Sequence, residues 1–175
     1  MTKRISLEGV PGSRKTDVLC ALKRMLGERR CVTIEHILLS GNSSDGLTRH
    51  VSMLLPFLEE YPEDKDVVVV AERSPQSLHR VYLRPDEMDA VRYNLYKRVL
   101  QEATRRWKPE LVFYLPDGPT STEHVDYAFF HDRYAYLLRH QLLKECEIVH
   151  VPPELSNDAE AIAEFVAKHA DVRGL

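Results

Sequence analysis

The sequence predicts an α/β domain built on a parallel sheet with helices on both faces. Three observations carry that prediction. Strand-like apolar segments alternate with helical periodicity five times along the 175 residues. Val67 to Ala71 is a run of five apolar residues, four of them valine, which is the pattern of a strand buried on both faces. Finally, the first strand runs straight into a glycine-rich turn and then a helix, through Ile5-Ser-Leu-Glu-Gly-Val-Pro-Gly-Ser-Arg-Lys-Thr16.

Taken in order, residues 3–8 are apolar enough for a central strand. Val18, Leu19, Leu22 and Met25 then recur at helical spacing over 16–27, and Gly27 ends the helix. Cys31 to Glu35 is a short β-branched strand closing on a carboxylate. Residues 40–46 are turn-rich and read as a loop at the sheet's edge. Residues 47–61 predict a helix with Val51, Leu54, Leu55 and Leu58 inward, kinked or broken at Pro56. After the valine strand, Ser74-Pro75 predicts an N-cap with proline in the first turn. A helix from Pro85-Asp86 to Trp107 places Met88, Val91, Leu95, Val99 and Ala103 on one face. Residues 110–115 form the next strand. Thr120 and Glu123 form a capping box for a helix through about Leu143, its inner stripe Tyr127, Phe130, Tyr134, Leu137/Leu138 and Gln141. A last strand covers 147–151. Ser156 or Asn157 caps a terminal helix carrying Ala159, Ile162, Phe165 and Val166 inward.

The chemistry sits at the strand ends. Gly9, Lys15 and Thr16 match G-x-x-x-x-G-K-[ST], a loop whose successive N–H groups curl around phosphate oxygens. The binding loop is Gly9, Val10, Pro11, Gly12, Ser13, Arg14, Lys15 and Thr16. In such a loop the lysine ammonium reaches the outer phosphates and the hydroxyl ligates Mg²⁺. Arg14 stands where the pattern has its second glycine, so a side chain must fit close to the phosphates. Ligands of parallel sheets bind beyond the carboxyl ends of the strands. Glu35 and Glu72-Arg73-Ser74 fall at the same end as the loop.

Composition narrows the class. Hydrophobic residues are 43% and charged residues 29%, as in ordinary globular chains. A net charge of −3 gives no reason to expect nucleic acid or a membrane surface as partner. The three cysteines, Cys20, Cys31 and Cys146, are odd in number and widely spaced, against a disulfide framework or zinc site. Met1-Thr-Lys-Arg4 runs directly into the first strand, so neither signal nor transit peptide is expected. The expectation is a single cytoplasmic domain. Arg105-Arg106-Trp107-Lys108 reads as a helix end complementing its dipole.

The spacing of Ser6-Leu-Glu-Gly-Val-Pro-Gly-Ser-Arg-Lys-Thr16, then Glu35, then Val67-Val-Val-Val-Ala-Glu-Arg-Ser74 resembles the deoxynucleoside kinases. These are the deoxycytidine, deoxyguanosine and thymidine kinases, related to thymidylate kinases. Arg80-Val-Tyr-Leu83 and Phe113-Tyr-Leu-Pro116 are weaker echoes. The resemblance implies a P-loop NTPase-type three-layer sandwich with a five-stranded parallel sheet, using ATP and Mg²⁺. By the same resemblance, Glu35 is the base for a sugar 5′-hydroxyl and Arg73 stabilises the charge that develops there. Lys15 and the loop hold donor phosphates, Thr16 and Glu72 place Mg²⁺, and Asn42 and Asp126 are candidate substrate contacts. A homodimer is a further possibility that the family implies.

Where the family's lid carries arginines, residues 116–125 have none; Arg14, Arg133, Arg139, His124 and His131 are the candidates to replace them. Two alternatives stay open at this point. One is a nucleoside monophosphate kinase of thymidylate type, which needs an extra cation site for the acceptor phosphate. The other is a degenerate kinase fold acting as a nucleotide-binding or interaction protein.

Overall fold

The computed structural model describes residues 2–27, 29–35, 67–118, 125–140 and 146–171. The predicted loop at 40–46, the helix at 47–61, the capping pair Thr120 and Glu123, and Asn42 lie outside the described residues.

The five strands are β1 (Lys3–Glu8), β2 (Cys31–Ile34), β3 (Val68–Glu72), β4 (Leu111–Tyr114) and β5 (Glu147–His150), in the spatial order β2-β3-β1-β4-β5. Every pairing is parallel. The register sets Leu7 beside Glu72, and Glu8 beside Tyr114. The carboxyl ends of β1 and β3 therefore meet at one corner, where the sequence placed its polar clusters. The valine strand is interior, between β2 and β1, and wholly buried, as its unbroken apolar run requires.

Helices cover both faces. On one, α1 (Lys15–Leu26) packs with the terminal helix, which runs Ala159–His169. Val18, Leu19, Leu22, Ile162, Ala163 and Val166 meet Ile5, Leu7, Val68, Val70 and Phe113 of the sheet there. On the other face, α2 (Pro75–Ser77) continues as a π-helical turn at Leu78–Tyr82, followed by a 3₁₀ turn at Pro85–Glu87 and by α3 (Ala90–Arg106). Leu78, Tyr96, Leu100, Ala103 and Trp107 there enclose Ile34, Val69 and Ala71. The buried Trp107 indole donates to Ser6 Oγ at 3.2 Å, which satisfies the polar group β1 carries into the core. Then α4 (Tyr127–Arg139) closes over the sheet's carboxyl end, and α5 is the terminal helix Ala159–His169.

Ser74 caps α2 as predicted, with Pro75 in the first turn and its hydroxyl accepting from the Ser77 N–H. Other elements differ in detail. The long predicted helix splits: a 3₁₀ turn precedes Asp89, whose carboxylate accepts from the Val91 and Arg92 N–H groups and starts α3. Its buried stripe is Tyr96, Leu100 and Ala103 rather than Val91 and Leu95, which are 76% and 36% exposed. Tyr96, Leu100 and Ala103 together bury against Ile34, Val69 and Ala71, which leaves Val91 and Leu95 on the outer face. Met25 is likewise exposed rather than core. Asp126 starts α4 by accepting from the Phe129 N–H at 3.0 Å. The cap of the terminal helix is Asp158, not Ser156 or Asn157, because its carboxylate reaches the Ala161 N–H at 3.0 Å.

Candidate phosphate-transfer site

The loop after β1 is built as its sequence implies. The Lys15 ammonium donates to the Gly9 carbonyl, the Val10 carbonyl and Ser13 Oγ, each at 2.8 Å, so the loop wraps its own lysine. Gly9 has φ 149°, and a Cβ there would stand 2.6 Å from Ser13 Oγ, so glycine is required. The loop after β4 presses against it: a Cβ on Gly118 would lie 1.9 Å from the Gly12 carbonyl oxygen. Burial and the neighbouring Arg73 pull Lys15 down to about 7, with Glu72 and Glu8 acting in the other direction.

Arg14 accepts the backbone the missing glycine would have adopted, with φ 57° and ψ 22°. A non-glycine residue holds that left-handed conformation at a cost of about 1–2 kcal/mol. Its guanidinium is bonded to Asp17 at 3.1 Å and to the Asn157 carbonyl ahead of α5. The charge is thus engaged beside the loop, on groups of this chain, instead of filling the cradle.

Beyond the loop, the Thr16 hydroxyl donates to both Glu72 carboxylate oxygens, at 3.0 and 3.1 Å. Burial raises the Glu72 carboxyl, Lys15 and the Thr16 hydroxyl lower it, and the charge of Glu35 raises it again. Glu35 itself is exposed just past β2, within electrostatic reach of Glu72. Arg73 is buried at φ 75°, another strained left-handed residue at this corner. Its guanidinium carbon sits 4.3 Å from the centre of the Tyr82 ring. Of the predicted site residues, the structure brings Lys15, Thr16, Glu72 and Arg73 together and sets Glu35 at the adjacent strand end. Asp126 is exposed and engaged as the α4 cap, apart from any of these contacts. His131 pairs with Asp117 at 3.0 Å, tying α4 to the loop after β4.

Sequence reasoning missed three members. Glu8 is fully buried; its carboxyl accepts from the Ser74 N–H at 2.6 Å and contacts the Tyr134 hydroxyl at 3.1 Å. Tyr134 lies 3.2 Å from the Tyr82 hydroxyl, which donates to the Gly9 carbonyl at 3.0 Å. Burial raises Glu8 above the ordinary carboxyl value. The available signal for Glu8 was its place between the strand and Gly9. Tyr134 lay on an apolar helix stripe and read as core. Around Phe129 stand two more guanidinium groups, Arg84 at 4.0 Å and Arg133 at 4.4 Å from the ring centre.

Sheet order, loop and strand-end residues define the class of fold: a P-loop kinase-type three-layer α/β fold. Among solved structures, thymidylate kinase from Ehrlichia chaffeensis is similar with a TM-score of 0.56 at 14% identity, covering 97% of this chain and 98% of that one. The YorR protein of Bacillus subtilis, solved in complex with phosphorylated GDP, is similar with a TM-score of 0.54 at 13% identity, covering 98% of each chain. No protein-family model matches the chain, and no curated protein matches its sequence. At these identities the likeness is one of fold. Among the described residues, no helix is long and apolar enough to cross a membrane, and no group of three or more His, Cys, Asp or Glu side chains is placed to hold a metal.

Proposed function

We propose that this chain is a nucleotide kinase-type phosphotransferase that moves the γ-phosphate of ATP to the 5′-hydroxyl of a (deoxy)nucleoside. The observation that carries this reading is the convergence of Lys15, the Thr16–Glu72 pair and Arg73 at the carboxyl ends of β1 and β3. Lys15 and the amides of residues 9–16 would bind the donor phosphates. The Thr16 hydroxyl and the Glu72 carboxylate are hard oxygen donors in contact, and so fit Mg²⁺. Thr16 would hold the ion directly and Glu72 through its water. When bound, the ion supplies neutralisation of charge on the phosphate oxygens. Glu35, exposed at the next strand end, would take the proton of the acceptor hydroxyl. Arg73 would stabilise charge developing at the transferred group, its guanidinium held over the Tyr82 ring.

A specific observation favours a second reading, in which the acceptor is a nucleoside monophosphate. Arg84 and Arg133 both stack on Phe129, whose ring neighbours Phe130 at 5.4 Å, and Phe130 packs on Tyr82 at 5.2 Å. These two guanidinium groups, Arg84 paired with Glu87 and Arg133 donating to the Arg80 carbonyl, would supply the extra cation site that an acceptor phosphate needs. Arg14, one of the two grounds for the degenerate-fold alternative, keeps the loop's backbone shape with its side chain bonded beside the cradle; the arginine-free stretch 116–125 is the other.

The test is phosphoryl transfer from labelled ATP with Mg²⁺ across deoxynucleosides and their monophosphates, with Lys15→Ala and Glu35→Gln alongside. Turnover of one acceptor, abolished by Lys15→Ala and severely reduced by Glu35→Gln, supports the reading and names the substrate. Turnover of monophosphates alone selects the second reading. A folded protein that turns over no acceptor overturns both.

A further inference from the structure

We propose that the polar cavity between the α2–π-helical segment and α3 is a second anion site, which binds a small phosphomonoester apart from the phosphate loop. The cavity has a volume of about 320 Å³ and is lined by Gln76, His79 and Arg80 from one side and by Gln101, Thr104 and Arg105 from the other. That volume stands at the lower end of the range for small-molecule sites, which points to a ligand no larger than a mononucleotide.

Both walls are the outer sides of elements whose inner sides are core. Leu78 and Val81 are buried on the inner side of the first, and Leu100, Ala103 and Trp107 on that of the second. Gln101, Thr104 and Arg105 stand at i, i+3 and i+4 of α3 and so share one face. Gaps between packed elements are ordinarily filled to high density. This one stays open between six polar side chains.

The sign of the ligand follows from those side chains, none of which is Asp or Glu. Arg80 and Arg105 bring two exposed guanidinium groups from opposite walls. Burial, then Arg80 and Lys97, hold the half-buried His79 imidazole below its ordinary value, so a positive field reaches into the cavity. Glu102, on the same helix, pairs with Arg105 and with Arg106, each at 3.0 Å. A phosphate that took Arg105 would leave Glu102 its bond to Arg106. Guanidinium groups on two sides suit a tetrahedral dianion with three terminal oxygens better than a planar carboxylate. The two glutamine amides and the imidazole offer donors and acceptors to the rest of the ligand. The Thr104 hydroxyl oxygen is buried without a hydrogen-bond partner, an exception among buried polar groups. Threonine in a helix has two accessible χ1 settings, so a turn about one bond can offer that hydroxyl to a ligand in the cavity it lines. None of the six residues belongs to the phosphate loop or to the Glu35, Glu72 and Arg73 set, so the inference does not rest on the proposed function.

The test uses the full chain, with ribose 5-phosphate, AMP and inorganic phosphate as probes and ribose and adenosine as uncharged controls. Calorimetry measures affinity, and amide NMR shifts locate the ligand. The expected result is one saturable site with Kd below about 1 mM for a phosphomonoester, with shifts centred on residues 76–80 and 101–105 and no binding of the controls. Equal binding of ribose 5-phosphate and AMP supports the site and assigns it to phosphosugars; binding of AMP alone supports it and assigns it to mononucleotides. Arg80→Gln and Arg105→Gln remove exposed side chains and should each weaken binding about tenfold or more, the worth of a charged hydrogen bond, and Thr104→Val about two- to tenfold. The affinity should be the same in Lys15→Ala, which separates this site from the phosphate loop. A Kd above about 1 mM for every probe, or binding of inorganic phosphate alone, overturns the proposal. So do shifts centred on residues 9–16 or on Arg84 and Arg133, or a folded Arg80→Gln/Arg105→Gln double variant that binds as the wild type does. Failure of the kinase reading would leave these outcomes unchanged, because none of them measures phosphoryl transfer.

Discussion

The proposed donor and acceptor sides of the site are built from different lengths of chain. The donor side is a single stretch, residues 9–16, whose glycine, lysine and threonine are neighbours in sequence and bond to one another or to the next strand end. The acceptor side is assembled from Arg73, Tyr82, Arg84, Phe129, Phe130 and Arg133, drawn from three separate elements and held by ring contacts. A contiguous loop is fixed by its own backbone geometry. An assembled face depends on how the π-helical turn and α4 pack.

That contrast can be broken most sharply at Lys15. Lys15→Ala should take phosphoryl transfer below detection, a loss of at least about 10²–10³-fold as expected on removing a preorganised donor from a transferring group, and should abolish MgATP binding in calorimetry. Arg73→Lys keeps the charge but loses the planar stack on Tyr82. It should lower kcat/KM for the acceptor by about 10–100-fold, the worth of a charged hydrogen bond, with donor KM nearly unchanged. If donor KM moves as much as acceptor KM, the two sides are not separate. Gly118→Ala probes a place where the loop after β4 presses on the glycine-rich loop. Its methyl would meet the Gly12 carbonyl, and chemical denaturation should show a loss of about 1–3 kcal/mol.

The smallest effect is in pH. Lys15 is pulled down to about 7 from an ordinary 10.5. Between those values the unfolded chain keeps a proton that the folded chain has lost, so stability of the protein without nucleotide rises with pH across that window. Binding of donor phosphates requires the ammonium. Calorimetry in buffers of different ionisation enthalpy should therefore show uptake of up to ~1 proton at about pH 8 and almost none at about pH 6. Equal uptake at both would mean the lysine is already charged without nucleotide.

The sheet was readable because each of its signals is local. The valine run, the glycine turn after β1, and the Ser74-Pro75 cap are each decided by neighbours in sequence, and all stand where the pattern put them. The face of α3 was misread for the opposite reason. Val91 and Leu95 have helical spacing, as do Tyr96 and Leu100, and only contact with Ile34, Val69 and Ala71 selects the second pair. Asp158 displaced two equally suitable caps through backbone geometry that composition does not specify.

By itself, then, the sequence determined the parallel sheet, the phosphate loop and the strand ends at which polar residues gather, since all follow from periodicity and from motifs a few residues long. Tertiary structure alone decided the rest. It turned Arg14 outward onto Asp17 and Asn157, laid Arg73 on Tyr82, and brought Glu8, Tyr82 and Tyr134 into one hydroxyl chain across 126 positions of sequence. The physical reason is burial. A glutamate on a strand and a tyrosine on an apolar helix stripe look ordinary in a sequence, and become a buried hydrogen-bonded pair only when packing removes water and brings them together.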